Sequence, residues 1–346
     1  MTDVGHVKLA EEPISSQRLP RRRMLLAGRV GLVIYFVVLL GYCVIKGIPL
    51  DRIGQTGWII IGILIAKAGQ PWREQVRTFL DWIPLLAALV IYDFTRGIAD
   101  TLGMPVRVGG LVGVERWLFD GHVPTVWLQD RLMTPSVRWW DIAITLVYFS
   151  HFILPWLIAA AFYIWSRQRW NRYIRRVLLL SYAGLLTYVL LPAAPPWYAA
   201  ATGEISDPVY RLVGRGWNEV GLRSADAWLT AAQAGSNQVA ALPSLHAGFS
   251  LLVALTLWPL ARHWALRVVL ALYPLAMAFS LIYGGEHYGL DVLVGWLYVV
   301  VVMWLAYLWE RWRGVDSGSM VGRSVPQRED VSSHRQWQND ASKQEA

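Results

Sequence analysis

From about Met24 to Ile45 the chain is apolar for long enough to cross a bilayer, and comparable runs recur at roughly 56–68, 78–97, 141–165, 174–192, 244–260, 266–284 and 288–309. A helix needs about 20 such residues to span the hydrocarbon core, and inside it the backbone must satisfy its own hydrogen bonds. The expected fold is therefore all-α, a polytopic membrane bundle of about eight transmembrane helices. The 56–68 run is the shortest. The first run is too long for the apolar part of a signal peptide and ends in no small-residue cleavage site, so it reads as a retained span. Composition agrees: 55% of the 346 residues are hydrophobic and 16% charged, and 20 Trp with 15 Tyr suit membrane interfaces better than a soluble core.

Charge orders these spans. With eight of them, Arg21 to Arg23, Lys67, Arg73, Arg77, the five arginines between 167 and 176, Arg262, Arg267, Arg311 and Arg313 all fall on one side. Seven spans break that pattern. The positive-inside rule then makes both termini cytoplasmic and the loops 98–140 and 193–243 extracytoplasmic. The net charge of +8 is accounted for in the same way; no isolated basic domain points to nucleic acid. Residues 1–23 read as a polar N-terminal tail, 24–313 as a membrane-embedded catalytic domain, and 314–346, rich in Ser, Gln, Arg and Asp, as a disordered C-terminal tail. The 99–139 stretch, with Trp117, Trp127, Trp139 and Trp140, reads as loop plus an interfacial amphipathic helix. Cys43 is the only cysteine, so no intrachain disulfide can form.

Two stretches carry chemistry. His287 and Asp291 stand at i, i+4 in Gly285-Glu286-His287-Tyr288-Gly289-Leu290-Asp291; on a helix they share a face, and a carboxylate there orients an imidazole and raises its basicity. Pro243-Ser244-Leu245-His246-Ala247 starts an apolar run, and a helix start offers unpaired N–H groups to an anion. Two imidazoles, a carboxylate and an anion cradle suit phosphoryl transfer without a metal. No HExxH or paired-cysteine motif suggests a metal site, and no cofactor is implied.

Pro-Ser-x-His and Ser280-x6-His287-x3-Asp291 resemble the second and third signature motifs of the type 2 phosphatidic acid phosphatase superfamily. Leu245 stands where that family usually has glycine and Leu281 where it has arginine; a Lys and Arg-Pro first motif is not visible, and Leu191 to Tyr198 occupies its place. Pro-Ser-Leu-His-Ala, His-Tyr-x-x-Asp and Pro-Pro-Trp-Tyr are similar to the inositolphosphotransferase branch, the relatives of inositol phosphorylceramide synthase, as is Tyr148 to Pro155. The resemblance spans roughly residues 90–310. It implies a six-helix catalytic core, His287 as nucleophile on phosphorus, Asp291 as its orienting partner, and His246 as acid and then base. It makes Pro196, Trp197 and Tyr198 a wall of the head-group site and Ser244 a phosphate ligand.

Other readings stand beside these. Ser244 is also a good N-cap, and Pro195 to Tyr198 could be a helix stop with interface aromatics. His151, half way down the fourth span, reads better as a packed histidine than a catalytic one. The absent basic residues leave a transferring phosphoryl group without a clamp. Arg96, at the outer end of the third span, is the substitute, with pairing to Asp93 or Asp100 as the alternative; Arg211, Arg215 and Arg223 are further candidates. The expected function is head-group transfer on a phospholipid or lipid-linked phosphate. The alternatives are a lipid phosphate phosphatase with water as acceptor and a non-catalytic scaffold or transporter.

Overall fold

Each of the eight apolar stretches forms a helix, and local punctuation decides where several of them begin. The structure, a computed structural model, describes residues 18–49, 51–217, 219 and 237–314, with side chains from residue 28 onward. Most of both polar tails, and Arg223, lie outside the described residues. Helix α1 (Arg18–Lys46) starts within the expected N-terminal tail, ahead of Met24. Helix α2 (Arg52–Ala66) starts at Asp51, whose Oδ1 accepts the Gly54 N–H at 2.7 Å. Helix α3 (Trp72–Ile98) follows a short turn and runs into a 3-10 turn at Ala99–Thr101. Ser166 alone separates α6 (Trp139–Trp165) from α7 (Arg167–Leu190), ending the first and capping the second. Ser244 caps α9 (Leu245–Leu257), and α10 (Trp264–Tyr283) and α11 (Gly289–Trp312) complete the bundle.

Six of these helices, α1, α3, α6, α7, α10 and α11, are long and apolar enough to cross a membrane, which makes this a multi-pass membrane protein with six candidate spans. The other two segments form shorter apolar helices: α2 has 15 residues, about 22 Å of rise, and α9 continues only through a 3-10 turn to Leu260. Between 99 and 139 the chain forms two short helices, α4 (Gly109–Leu118) and α5 (Pro124–Leu132), where one was expected. A further short helix, α8 (Pro196–Ala201), follows Pro195. Among the described residues no strand forms; Arg107, Ala193 and Ala240 are joined by isolated bridges.

Helix α9 is the hub. It packs against α6, α7, α10 and α11, and Ala247, Gly248, Ser250, Leu252 and Val253 are all buried, as expected of a helix apolar on every side. Its approach to α11 is close because Gly295 has no side chain: a Cβ there would lie 2.3 Å from the Ser244 carbonyl oxygen. By contrast α1 rests on α2 and leaves Val44 and Ile45 74% and 78% exposed, a surface suited to lipid.

The two ends of the bundle differ in charge. At one end Arg167 meets Asp81, Lys67 lies over the Tyr163 ring, and Arg172, Arg175 and Arg176 converge on buried Glu310. The histidine motifs lie at the other end, beneath α4, α5 and α8.

Candidate active site

His287 does not sit on a helix. It precedes α11, whose N-cap is Tyr288, so the shared helical face expected for His287 and Asp291 is replaced by cap geometry. Asp291 lies in the first turn, fully buried, and its Oδ2 accepts the Tyr288 N–H at 2.9 Å. The same oxygen is 3.4 Å from His287 Nδ1. That nitrogen also lies 3.0 Å from the Ala241 carbonyl oxygen. Both neighbours can only accept, so the proton resides on Nδ1 and Nε2 keeps its lone pair.

Three features hold the loop carrying His287. Gly285 takes φ +78, and a Cβ there would lie 2.6 Å from the Tyr210 carbonyl oxygen, so the turn calls for glycine. Glu286 receives two hydrogen bonds from Arg211, each 3.0 Å, and Arg211 lies over the Trp197 ring. Fully buried Glu115 of α4 accepts the N–H groups of Gly289 and Leu290 at 2.7 and 3.1 Å, closing the N-terminus of α11. Burial pushes the Glu115 carboxyl above its ordinary value, and those two N–H donors pull the other way.

The second motif is joined to the first through the backbone, since the Ser244 N–H donates to the Asp291 carbonyl at 3.0 Å. Ser244 is the N-cap, its Oγ accepting the Ala247 N–H at 3.3 Å. It is fully buried and does not line the cavity described next. His246, in the first turn of α9, stacks on Tyr148 with ring centroids 4.8 Å apart and lies 5.8 Å from the His287 ring. Its Nε2 is buried with no hydrogen-bond partner among the described residues.

His246 and His287 open onto a cavity of about 120 Å³. Arg96 lines it from α3, and among the described residues its guanidinium has no ion-pair partner. Asp93, the partner weighed for it, instead accepts from Arg52 at 2.8 Å. His151 also lines the cavity, its ring 4.1 Å from His246 and its Nδ1 buried without a hydrogen-bond partner among the described residues; the packed-histidine reading did not place it beside the second motif. Arg52, Tyr92, Asp93, Ser181 and Tyr188 also line it; sequence reasoning names Asp93 only as a partner for Arg96 and gives the other four no role. For Arg52 the available signal was a charge just ahead of the shortest apolar run.

Pro196, Trp197 and Tyr198 do not line this cavity. They form the start of α8, and the Trp197 N–H meets the Gly285 carbonyl at 3.4 Å, so they brace the His287 loop from outside. Arg211 and Arg215 are likewise engaged elsewhere, with Glu286 and with the Thr134 and Pro135 carbonyls.

Comparison with known proteins gives a consistent picture. The sequence profile of the PAP2 superfamily matches residues 110–305, more than half of the chain. A phosphoinositol dihydroceramide synthase of Bacteroides thetaiotaomicron is 29% identical over 253 residues, covering 67% of this chain and 77% of that protein. The inositol phosphorylceramide synthase catalytic subunit AUR1 of Saccharomyces cerevisiae is 26% identical over 228 residues, covering 63% of this chain and 53% of the yeast protein. No solved structure matches.

Proposed function

The chain belongs to the PAP2 superfamily and is one of its membrane enzymes, and from that premise we propose that it transfers a phosphorylated polar head group between lipids through a phosphohistidine intermediate. The observation that carries this reading is the His287 imidazole: with Nδ1 engaged by Ala241 and beside Asp291, Nε2 is the nucleophilic atom, in a cavity shared with His246 and Arg96. The names of the two relatives add the chemistry of the head, a phosphoinositol group placed on a ceramide.

Nε2 of His287 attacks phosphorus, and the bond from phosphorus to the donor lipid's oxygen breaks. Protonated His246 gives its proton to that leaving oxygen. The acceptor lipid then enters, His246 takes the proton of its hydroxyl, and the hydroxyl oxygen displaces His287 from phosphorus. Arg96 supports the charge on the equatorial oxygens. The donor and acceptor are lipids, and no metal or cofactor enters the cycle.

In this reading all eight apolar helices are embedded, within a catalytic domain of residues 24–313. Its six-helix core is α3, α6, α7, α9, α10 and α11, and the short α2 and α9 are shielded by neighbours. The basic end is cytoplasmic, with both tails, and the site opens on the extracytoplasmic face. The test is turnover of phosphatidylinositol carrying a labelled head group by purified protein in detergent, with ceramide and other hydroxyl lipids as acceptors. Label should move to a second lipid, and His287→Ala should abolish both turnover and an acid-labile phosphoenzyme. Label released only into water, as the phosphorylated head, would make water the acceptor and the protein a hydrolase; wild-type turnover by His287→Ala would remove the phosphohistidine.

A further inference from the structure

The match to the superfamily begins at residue 110, yet both arginines that line the histidine cavity precede it, Arg52 on α2 and Arg96 on α3. Arg52 is the first residue of α2. Its Nε lies 2.8 Å from Asp93 Oδ2 and its Nη2 3.4 Å from Asp93 Oδ1. Its guanidinium carbon is 5.2 Å from the centre of the Trp156 ring on α6. Asp93 and Arg96 stand at i, i+3 on α3, and neighbours at that spacing share a helix face.

A guanidinium has five N–H donors. Asp93 engages one edge, through Nε and Nη2, and leaves the two Nη1 donors and the second Nη2 donor. A ring face and a carboxylate together fix the plane of the group, a pre-organised arrangement for a bidentate oxyanion contact. We propose that Arg52 is a second phosphate-binding residue of this site, oriented by Asp93, so that the helix pair α2–α3 supplies the two-armed cationic clamp that the histidine core lacks. The proposal rests on the phosphotransfer reading and adds to it the residue and the helix pair that bind the anion. It also accounts for an ion pair between two part-exposed side chains at the wall of a reaction cavity, where a merely structural pair contributes little to stability.

The test uses full-length protein in detergent and orthovanadate, a mimic of the five-coordinate transferring group, with affinity read by calorimetry. Arg52→Gln should weaken vanadate binding about tenfold or more, the scale of one lost charge-assisted contact, and Arg52→Lys should recover part of the loss. Asp93→Asn should weaken binding in the presence of Arg52 and add nothing in the Arg52→Gln background, a coupling that general destabilisation would not produce. Gln55→Ala removes the hydrogen bond from α2 to the Phe152 carbonyl and keeps the charge; it should bind vanadate within about twofold of wild type, inside the range of uncoupled effects. Wild-type affinity in Arg52→Gln, or an equal loss in Gln55→Ala, would overturn the proposal while leaving the histidine chemistry intact. A wild-type protein that neither binds vanadate nor turns over lipid would instead remove the phosphotransfer reading, and this inference with it.

Discussion

Two acceptors of unequal distance hold the His287 imidazole, the neutral Ala241 carbonyl at 3.0 Å and the Asp291 carboxylate at 3.4 Å. The carbonyl alone suffices to fix the tautomer; the carboxylate adds a charge that stabilises the imidazole when it becomes cationic. Asp291→Asn should therefore keep the tautomer and the Tyr288 cap, and lower turnover about 10–100-fold, the usual range for an orienting partner. The measurement is the labelled-lipid assay beside circular dichroism. A folded Asp291→Asn protein as inactive as His287→Ala would show that the Ala241 carbonyl contributes nothing to orientation. His151 teaches a related point at the same scale. The segment Tyr148 to Pro155 around it carries a family resemblance, but its place beside His246 depends on α6 packing against α9, which no spacing along the chain encodes.

At the scale of elements, two contacts keep the histidines in register. One is Glu115, which closes the N-terminus of α11 from a helix more than 170 positions earlier. Glu115→Ala leaves two N–H groups without their acceptor in a buried setting and should lower stability by about 1–3 kcal/mol, with Glu115→Gln losing less because an acceptor remains. Thermal melting in detergent measures both, and equal melting of wild type and Glu115→Ala would remove the cap from the account. The other contact is the approach of α9 to α11 at Gly295. A methyl group there meets backbone, the Ser244 carbonyl, which cannot swing aside as a flexible side chain would. Gly295→Ala should cost about 1–3 kcal/mol by overpacking and reduce turnover further by moving His246 from His287. Gly41→Ala, where a Cβ meets nothing within 4 Å, is the control and should be near neutral. A fully active, equally stable Gly295→Ala protein would refute the tight α9–α11 seam.

For the molecule as a whole, the separation of a basic end from a histidine end is the largest feature. Gln168 is exposed at the basic end and Asp207 at the other. With Cys43→Ala as background, Gln168→Cys should resist an impermeant thiol reagent in intact cells and Asp207→Cys should react. Labelling of position 168 alone would invert the orientation and place the chemistry in the cytoplasm.

Apolar run length, a property of the chain alone, determined the all-helical membrane fold and the position of every major helix, because a bilayer imposes one dimension and one backbone solution. The motif residues His246, His287 and Asp291 were legible for a similar reason: their chemistry is rare inside apolar sequence, and local spacing already pairs two of them. Tertiary structure decided what spacing could not. It put His287 ahead of its helix, fixed its tautomer with a carbonyl 46 positions away, and turned Pro196, Trp197 and Tyr198 into a brace for the loop instead of a wall of the cavity. It also brought Arg52 and Arg96 to the site. Arginine is common at span ends, so its type carries little information; its role depends on which carboxylate claims it, and here Asp93 holds Arg52 and leaves Arg96 open to the cavity.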